Sequence, residues 1–210
     1  MSKGRFIITN MIGVIIILAL LAGGGYYYYQ NHNYVTTDEA TVYADMTNVT
    51  APASGTLKGW KAKEGDDVSR GQNLGEVFDG QQPVPVDSLS EGKLIKNNAV
   101  NHQSVQAGEV IGQTADMDHL YIIANIKETE LHEIEKGDKV NITVDGDQDT
   151  TFEGEVKDIA KATNSAFSML PENTSGNYTK VTEKVQVKIS IDHPSSNVLP
   201  GMNEEVKISI

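Results

Sequence analysis

The chain opens with one long apolar segment, and short segments of alternating apolar and polar residues follow it. Residues 6–25 read FIITNMIGVIIILALLAGGG and hold eleven Phe, Ile, Val or Leu residues and no charge. About 20 residues at about 1.5 Å each cover the hydrocarbon core of a bilayer, so the pattern predicts a transmembrane helix at 6–29. Lys3 and Arg5 precede the apolar run without an acidic residue. Because positive charge stays on the cytoplasmic side, residues 1–5 are predicted to be a cytoplasmic tail and the bulk of the chain extracytoplasmic.

A cleaved signal peptide is the alternative interpretation of this segment. A signal peptide has a shorter apolar core and a cleavage site formed by small residues. Here the apolar run is long, and four tyrosines at 26–29 follow it. We therefore expect an uncleaved anchor, with the tyrosines at the outer membrane interface.

Two stretches after the anchor repeat one another at a spacing of 37 residues. The matching residues are Gly55, Leu57, Val68, Gly71, Leu74 and Gly75 in the first stretch and Gly92, Leu94, Val105, Gly108, Ile111 and Gly112 in the second. Glycine at a fixed place beside an alternating apolar run marks a turn that needs positive φ. Each stretch is too short to bury its own apolar face, so the two together predict a small all-β sandwich. The alternative is a chance likeness between two glycine-rich segments.

This pattern resembles the lipoyl or biotinyl carrier domain, which implies a domain at 47–116 with halves at 47–77 and 84–116. A carrier presents its modified lysine on the turn between the halves. The connection at 78–87 contains two prolines and no lysine. Lipoylation and biotinylation are therefore not expected, and no cofactor is predicted.

The other segments also have mostly the period of two that is typical of strands. One strand is predicted within 30–46, ahead of the first half. Beyond the second half the pattern predicts strands at 120–126, 139–144, 151–159, 184–191 and 206–210, and a short helix at 128–135. A polar segment at 162–179 surrounds the apolar residues 167–171 and is predicted to be a long loop with a docked centre.

Composition narrows the classes of partner and chemistry. The net charge is -12 and cysteine is absent. The acidic balance argues against nucleic acid as a partner, and against electrostatic binding of the exterior to anionic lipid. Without cysteine there is no disulfide framework, zinc–thiolate site or catalytic thiol.

No motif supports catalysis. The sequence contains no Gly-x-Ser-x-Gly, phosphate loop or His-Glu-x-x-His. The histidines are dispersed and are expected to be solvated surface residues; they are His32, His102, His119, His132 and His193. Residues 145–149 imitate the start of a calcium loop, but Thr150 replaces the required glycine, so an acidic hairpin turn is preferred over a weak cation site. We predict no enzyme and assign no catalytic, cofactor-binding or metal-ligating residue.

An ordered set of segments resembles the membrane fusion proteins, or periplasmic adaptors, of the HlyD and EmrA type. After the anchor the set comprises VTTDEATV at 35–42, APASG at 51–55, the two halves, GDKVNITVD at 137–145 and FSMLP at 167–171. The resemblance implies a mainly β fold with one N-terminal transmembrane helix and a lipoyl-like (barrel-sandwich hybrid) domain. It further implies a small β-barrel at 117–160 and a membrane-proximal β-domain, formed by 161–210 together with the strand at 30–46.

The resemblance also implies a function and partners. An adaptor of this type works in an export or efflux system beside a membrane transporter. The segment at 167–171 most resembles the EmrA branch, which favours a major facilitator drug exporter as the partner; an ABC or other transporter is left open. Adaptors that reach an outer-membrane channel insert a long helical hairpin between the lipoyl halves, where this chain has only residues 78–88. An outer-membrane channel is therefore not expected, and a cell with a single membrane, that is, a Gram-positive source, is predicted. Homo-oligomer formation is left open.

Two segments are candidates for partner contact. Residues 127–136 place Leu131 and Ile134 on one helical face among four glutamates. A helix that covers one end of a barrel, with its polar face in water, is the preferred interpretation of that segment. The apolar residues 167–171 are the second candidate. A hypothesis of a different class is a membrane-anchored binding or sensor module that acts without a pump.

Overall fold

The computed structural model describes residues 3–167 and 182–210 of the chain. Helix α1 (Lys3–Asn33) comes first, and strands make up most of the remaining described residues, which confirms the mainly β fold. In chain order the strands are β1 (Tyr34–Tyr43), β2 (Met46–Thr50), β3 (Gly55–Lys58), β4 (Asp67–Val68), β5 (Asn73–Phe78), β6 (Pro83–Asp87), β7 (Gly92–Asn97), β8 (Ser104–Val105), β9 (Val110–Ala115), β10 (Tyr121–Lys127), β11 (Lys139–Val144), β12 (Asp147–Thr163), β13 (Lys184–Ser190) and β14 (Asn203–Ser209).

The N-terminal helix begins before the predicted segment 6–29 and ends after it, at Asn33. Within the described part of the chain, no helix combines the length and the apolar character needed to cross a membrane. The helix leads directly into β1. The backbone N–H of Ile210 donates to the carbonyl of Asn33 at 3.1 Å, so the end of β14 lies beside the end of the helix.

Six strands close into a barrel in the order β1-β10-β13-β12-β11-β14, and every neighbouring pair is antiparallel. Alternate residues point inward: in β14, Glu204, Val206 and Ile208 are buried and Glu205 is exposed. The interior holds mainly Val, Ile and Ala side chains. Closure removes the free sheet edges that would otherwise pair with other chains.

The sequence assigned these strands to two domains, a β-barrel at 117–160 and a membrane-proximal domain built from 161–210 and the strand at 30–46. The structure has one closed barrel instead. Strand β13, from the second predicted domain, lies between β10 and β12 of the first, and β14 lies between β1 and β11. Strands β10 to β12 alone would leave open edges, so closure requires the strands on both sides of the predicted boundary.

The lipoyl-like domain consists of two four-stranded sheets, β2-β9-β7-β4 and β6-β5-β3-β8. Each sheet takes strands from both halves, since β4 pairs with β7 and β8 pairs with β3. Leu57 and Leu94, which match in the repeat, are both completely buried in the domain core. Full burial of one leucine contributes about 1.5–3 kcal/mol. Neither half completes a sheet alone, as the shortness of each half predicted.

Four repeat glycines have two different physical roles. Gly71 and Gly108 occupy turns with φ of 77° and 83°, the role that the sequence predicted for glycine here. At Gly55 and Gly92 the need is close approach: an added Cβ would lie 2.1 Å from the carbonyl oxygen of Phe78 and 2.3 Å from that of Ala115, respectively. Gly92 also has a positive φ, of 141°. The second pair therefore fixes the spacing between strands.

Two predictions beyond β10 have different outcomes. The helix predicted at 128–135 is only a 3₁₀ turn at Leu131–Glu133. The N–H of Glu128 donates to Glu183 at 2.9 Å and that of Gly137 to Val156 at 2.8 Å, so both ends of the segment are tied to the barrel and too few residues remain for a stable α-helix. Of the loop predicted at 162–179, the first residues complete β12 and a 3₁₀ turn at Asn164–Phe167, and the rest lies outside the described residues.

Candidate functional site: the two ends of the lipoyl-like domain

The repeat is more extensive in the structure than in the sequence, because β2 and β6 also match. Met46 and Pro83, which begin these strands, are 37 positions apart. Met46 pairs with Ala115 of β9, and Pro83 pairs with Phe78 of β5, which is again 37 positions before Ala115. The repeat therefore exchanges the two sheets, as an approximate two-fold axis would.

This relation gives the domain two equivalent ends, which we call the hairpin end (residues 78–83) and the junction end (residues 43–46 and 115–121). At the hairpin end, β5 returns directly into β6. At the junction end, the chain passes between this domain and the barrel, from β1 to β2 and from β9 to β10. The place where the resemblance to longer adaptors would put a helical hairpin is thus the internal counterpart of the place where the barrel is attached.

The hairpin end is a tight four-residue turn. The Oδ1 atom of Asp79 accepts hydrogen bonds from the N–H groups of Gln82 and Gln81, at 2.8 and 2.7 Å, and these bonds hold the pKa of Asp79 below its usual 3.8. The sequence described 78–87 as a proline-bearing connection, whereas residues 83–87 form β6 in the structure. Strand β6 tolerates Pro83 and Pro85 because it lies at the edge of its sheet. No residue from 78 to 88 is helical.

The junction end repeats this turn with different neighbours. Asp116, 37 positions after Asp79, accepts at Oδ1 from the N–H groups of Asp118 and His119, at 3.0 and 3.1 Å. Its Oδ2 lies 2.8 Å from Nδ1 of His119. Partial burial acts to raise the pKa of Asp116, but the His119 ring and the N–H groups outweigh it, so the pKa lies below its usual 3.8. The hydrogen bond to Asp116 in turn raises the pKa of His119 above 6.5. Sequence analysis missed this pair of turns, although an aspartate begins both DGQQ and DMDH at the repeat spacing.

An apolar groove of about 350 Å³ separates the domains at the junction end. The lipoyl-like domain contributes Met46 and Ile95, the following linker contributes Met117, and the barrel contributes Leu199 and Pro200. Met46 is 45% and Leu199 48% exposed, so the groove is open to solvent. A more polar groove of about 360 Å³ also lies at this end and includes Asp45, Arg70, Glu91 and Asp116.

Aromatic packing completes the junction. The rings of Tyr43 and Tyr121 stack with centroids 6.0 Å apart, at an interplanar angle of 16°. The ammonium of Lys188 lies 3.7 Å from the centroid of the Tyr121 ring, a cation–π contact. Burial raises the pKa of Tyr121, and the nearby carboxylate of Asp45 acts in the same direction. These contacts join the ends of β1 and β10 beside the junction.

The first candidate segment for partner contact, 127–136, packs against the barrel of the chain itself. Ile134 is 5% exposed in the barrel core, and the half-buried Leu131 packs against the same core. The apolar positions of 127–136 therefore cover the barrel rather than present a surface. The second candidate, 167–171, lies outside the described residues except for the backbone of Phe167.

The described histidines lie apart from one another. His119 pairs with Asp116, and His132 lies 3.9 Å from Glu133. His102 and His193 occupy left-handed turns with φ of 72° and 50°. Within residues 3–167 and 182–210, no three His, Asp or Glu side chains converge in a way that could hold a metal ion.

Comparison with known proteins gives a match for each of the two β-domains. The profile of the YhbJ barrel-sandwich hybrid domain matches residues 45–116, and the profile of the YknX-like β-barrel domain matches residues 120–208. YhbJ of Bacillus subtilis (strain 168), which is named as an efflux system component, is 57% identical over 210 residues, covering 100% of this chain and 95% of YhbJ. The multidrug export protein EmrA of Escherichia coli (strain K12) is 34% identical over 110 residues, covering 48% of this chain and 28% of EmrA.

A solved structure shares the fold at low sequence identity. The membrane fusion protein Spr0693 of Streptococcus pneumoniae R6 superposes with a TM-score of 0.59 at 14% identity, covering 84% of this chain and 98% of the solved one. The chain thus spans nearly all of YhbJ but less than a third of Escherichia coli EmrA.

Proposed function

Because the chain belongs to the membrane fusion proteins, or adaptors, of efflux systems, in a short form without the helical hairpin, we propose that it serves beside a membrane transporter in drug export. The observation that carries this proposal is the 57% identity to an efflux system component over the whole chain. The transporter class that we favour is the major facilitator class, which the resemblance to the EmrA type implies; two relatives with the name EmrA are multidrug export proteins.

The order of the elements fits such a role. Helix α1 joins one end of the barrel, where Tyr34 and Ser209 pair, and the lipoyl-like domain joins the other, near Tyr43 and Asn203. The hairpin end is therefore remote from the helix along the chain path. With only four residues at that end, the adaptor would act close to the membrane surface and would not reach an outer-membrane channel.

We further propose that α1 anchors the protein with the bulk of the chain outside. The support is the exposure of its apolar side chains: nine large apolar residues between positions 11 and 21 are 51% to 70% exposed, and none packs in the core of either β-domain. A surface of that size is stable in contact with lipid or with another apolar helix. The likeness to a Bacillus protein supports a Gram-positive source.

The decisive experiment is affinity purification of the full chain from its own membranes, followed by identification of co-purifying proteins and a drug-efflux assay of the deletion strain. Co-purification of a transporter together with reduced efflux supports the proposal. Unchanged efflux and no co-purified transporter would contradict it and would favour an anchored module that acts without a pump. The mass of the purified complex also gives the number of copies of this chain.

A further inference from the structure

Glu204 is the only charged side chain that is fully buried among the described residues. It is 2% exposed, and neither of its carboxyl oxygens has a hydrogen-bond partner. It lies on the interior face of β14 with Val206, inside the closed barrel. An ionised carboxylate in such a place is strongly unfavourable, so the site holds the neutral acid.

The elements around Glu204 offer no compensating charge. Ala40 of β1 and Val144 of β11 are its cross-strand partners. The interior side chains of β10, β12 and β13 are apolar; they are Ile122, Ala124, Ile126, Phe152, Val156, Val187 and Ile189. The titratable group whose charge acts on Glu204 is Asp145, at the end of β11, and it is acidic. Burial, and then Asp145, raise the pKa of Glu204 to about 8.

The residues just before Glu204 join the barrel to the junction. The N–H of Val42 donates to Met202 at 3.0 Å, the N–H of Gly201 donates back to Val42 at 2.8 Å, and the N–H of Asp145 donates to Asn203 at 3.0 Å. Leu199 and the adjacent Pro200 line the apolar groove that faces the lipoyl-like domain. The segment 199–203 therefore carries one wall of the groove and is anchored beside a buried acid.

We propose that Glu204 is a pH-sensitive latch for the segment 199–203 at the domain junction. In the neutral form Glu204 is packed in the barrel interior and the segment is held in place. When the carboxyl releases its proton to solvent, the carboxylate must gain water, and the adjoining segment 199–203 moves to admit that water. The groove between the domains then widens, so the latch adjusts the junction in mildly alkaline conditions. This device operates within the chain and does not depend on the transport partner.

A spin label at position 199 tests the latch in the full chain in lipid nanodiscs. Because the chain has no cysteine, Leu199→Cys gives a single labelling site. After labelling at neutral pH, we expect the mobile fraction of the nitroxide spectrum to rise reversibly between pH 6 and pH 9.5. Glu204→Gln should abolish the rise, and Glu205→Gln, which removes a charge from the exposed neighbour, should retain it.

Three outcomes would overturn the latch. They are an unchanged spectrum in the otherwise wild-type chain, the same transition in Glu204→Gln, and an equal change at a label placed at Val110, at the far end of β9 from the junction. The first and third outcomes are measured in labelled chains that keep Glu204. The test therefore stands even where Glu204→Gln fails to fold.

Discussion

Asn101, in the second half of the lipoyl-like domain, binds both backbone polar groups of Trp60 in the first half. Its Oδ1 accepts from the N–H of Trp60 at 2.8 Å, and its Nδ2 donates to the Trp60 carbonyl at 3.0 Å. The matching positions carry a related contact, since Glu64 accepts at Oε1 from the N–H of Asn97 at 2.9 Å. Each half thus satisfies a backbone group of the other near the core, where an unpaired group is costly.

Replacing Asn101 should weaken this domain. Asn101→Ala removes both bonds and leaves the N–H and the carbonyl of Trp60 without these partners, so we expect a loss of about 1–3 kcal/mol in the free energy of unfolding. Asn101→Asp keeps the acceptor and loses the donor, and its effect should be smaller. Trp60 is the only tryptophan in the chain, so denaturant unfolding followed by its fluorescence measures the change directly. The exposed Asn98, replaced by Ala, is the matched control; an equal loss there would show that the bonds are unimportant.

The close approach at Gly55 and Gly92 predicts sensitivity at two distant sequence positions, with the larger cost at Gly92, whose φ of 141° an alanine rarely adopts. Either glycine changed to alanine would place Cβ against a backbone carbonyl, so each substitution should destabilise the domain by at least about 3 kcal/mol. Gly59→Ala is the control, because Gly59 has positive φ (64°) but open space around it, and its cost should be about 1 kcal/mol. The same fluorescence measurement applies. If Gly55→Ala, at a position without positive φ, cost no more than Gly59→Ala, the close contact would not be the cause.

The buried acid predicts a pH dependence of stability. The usual pKa of glutamic acid is 4.5 and that of Glu204 in the folded chain is about 8, so between these values the folded state retains a proton that the unfolded state has lost. The free energy of unfolding should therefore fall as pH rises through this window, by at most about 1.4 kcal/mol per pH unit, and level off above it.

Paired unfolding curves of the wild type and two variants isolate this contribution. Glu204→Gln should lack the decline, whereas Glu205→Gln should keep it. Barrel unfolding is best followed by tyrosine near-ultraviolet circular dichroism, since Trp60 lies in the other domain. Parallel curves for the wild type and Glu204→Gln from pH 5 to pH 8 would contradict a raised pKa at this position.

The exposed apolar surface of α1 predicts that charge there abolishes membrane association. Ile16 and Leu18 are 54% and 59% exposed, and aspartate in the middle of a spanning helix costs about 3 kcal/mol per residue. We expect the double variant Ile16→Asp and Leu18→Asp to leave the membrane fraction. Leu89→Asp makes the same chemical change at a residue of the lipoyl-like domain that is 63% exposed, and this variant should remain bound. Fractionation with immunoblotting distinguishes them, and retention of the double variant would argue against the anchor.

The sequence predicted the two-half domain because its signal is local and repeated in register. It did not include β2 and β6, since Met46–Thr50 and Pro83–Asp87 have in common only one valine, Val49 and Val86, both 1% exposed. One shared buried residue per strand is too weak a pattern to detect, and backbone pairing with β9 and β5 places these edge strands. The strand pairing is the same in the two halves of the domain although the residue types differ.

The barrel strands were individually predictable, but their neighbours were not. Strand β13 pairs with β10, about 60 residues earlier in the chain, and period two says nothing about such a partner. The burial of Glu204 was likewise hidden, because Asn-Glu-Glu at 203–205 reads as a polar stretch. Period two from Val206 and Ile208 puts Glu204 on their face of the strand, but only the closed sheet shows that this face is still buried at position 204.

The four-residue turn from Asp79 to Gln82 matches, 37 positions later, residues that lead into a complete domain. Two antiparallel strands arrive at this turn in the same register as the strands that carry the barrel at the other end. Additional chain could therefore leave and re-enter there without altering one buried contact of the sandwich. Long and short adaptors can then differ by a single insertion or deletion, and the length of the export assembly can evolve separately from the stability of the domain that supports it.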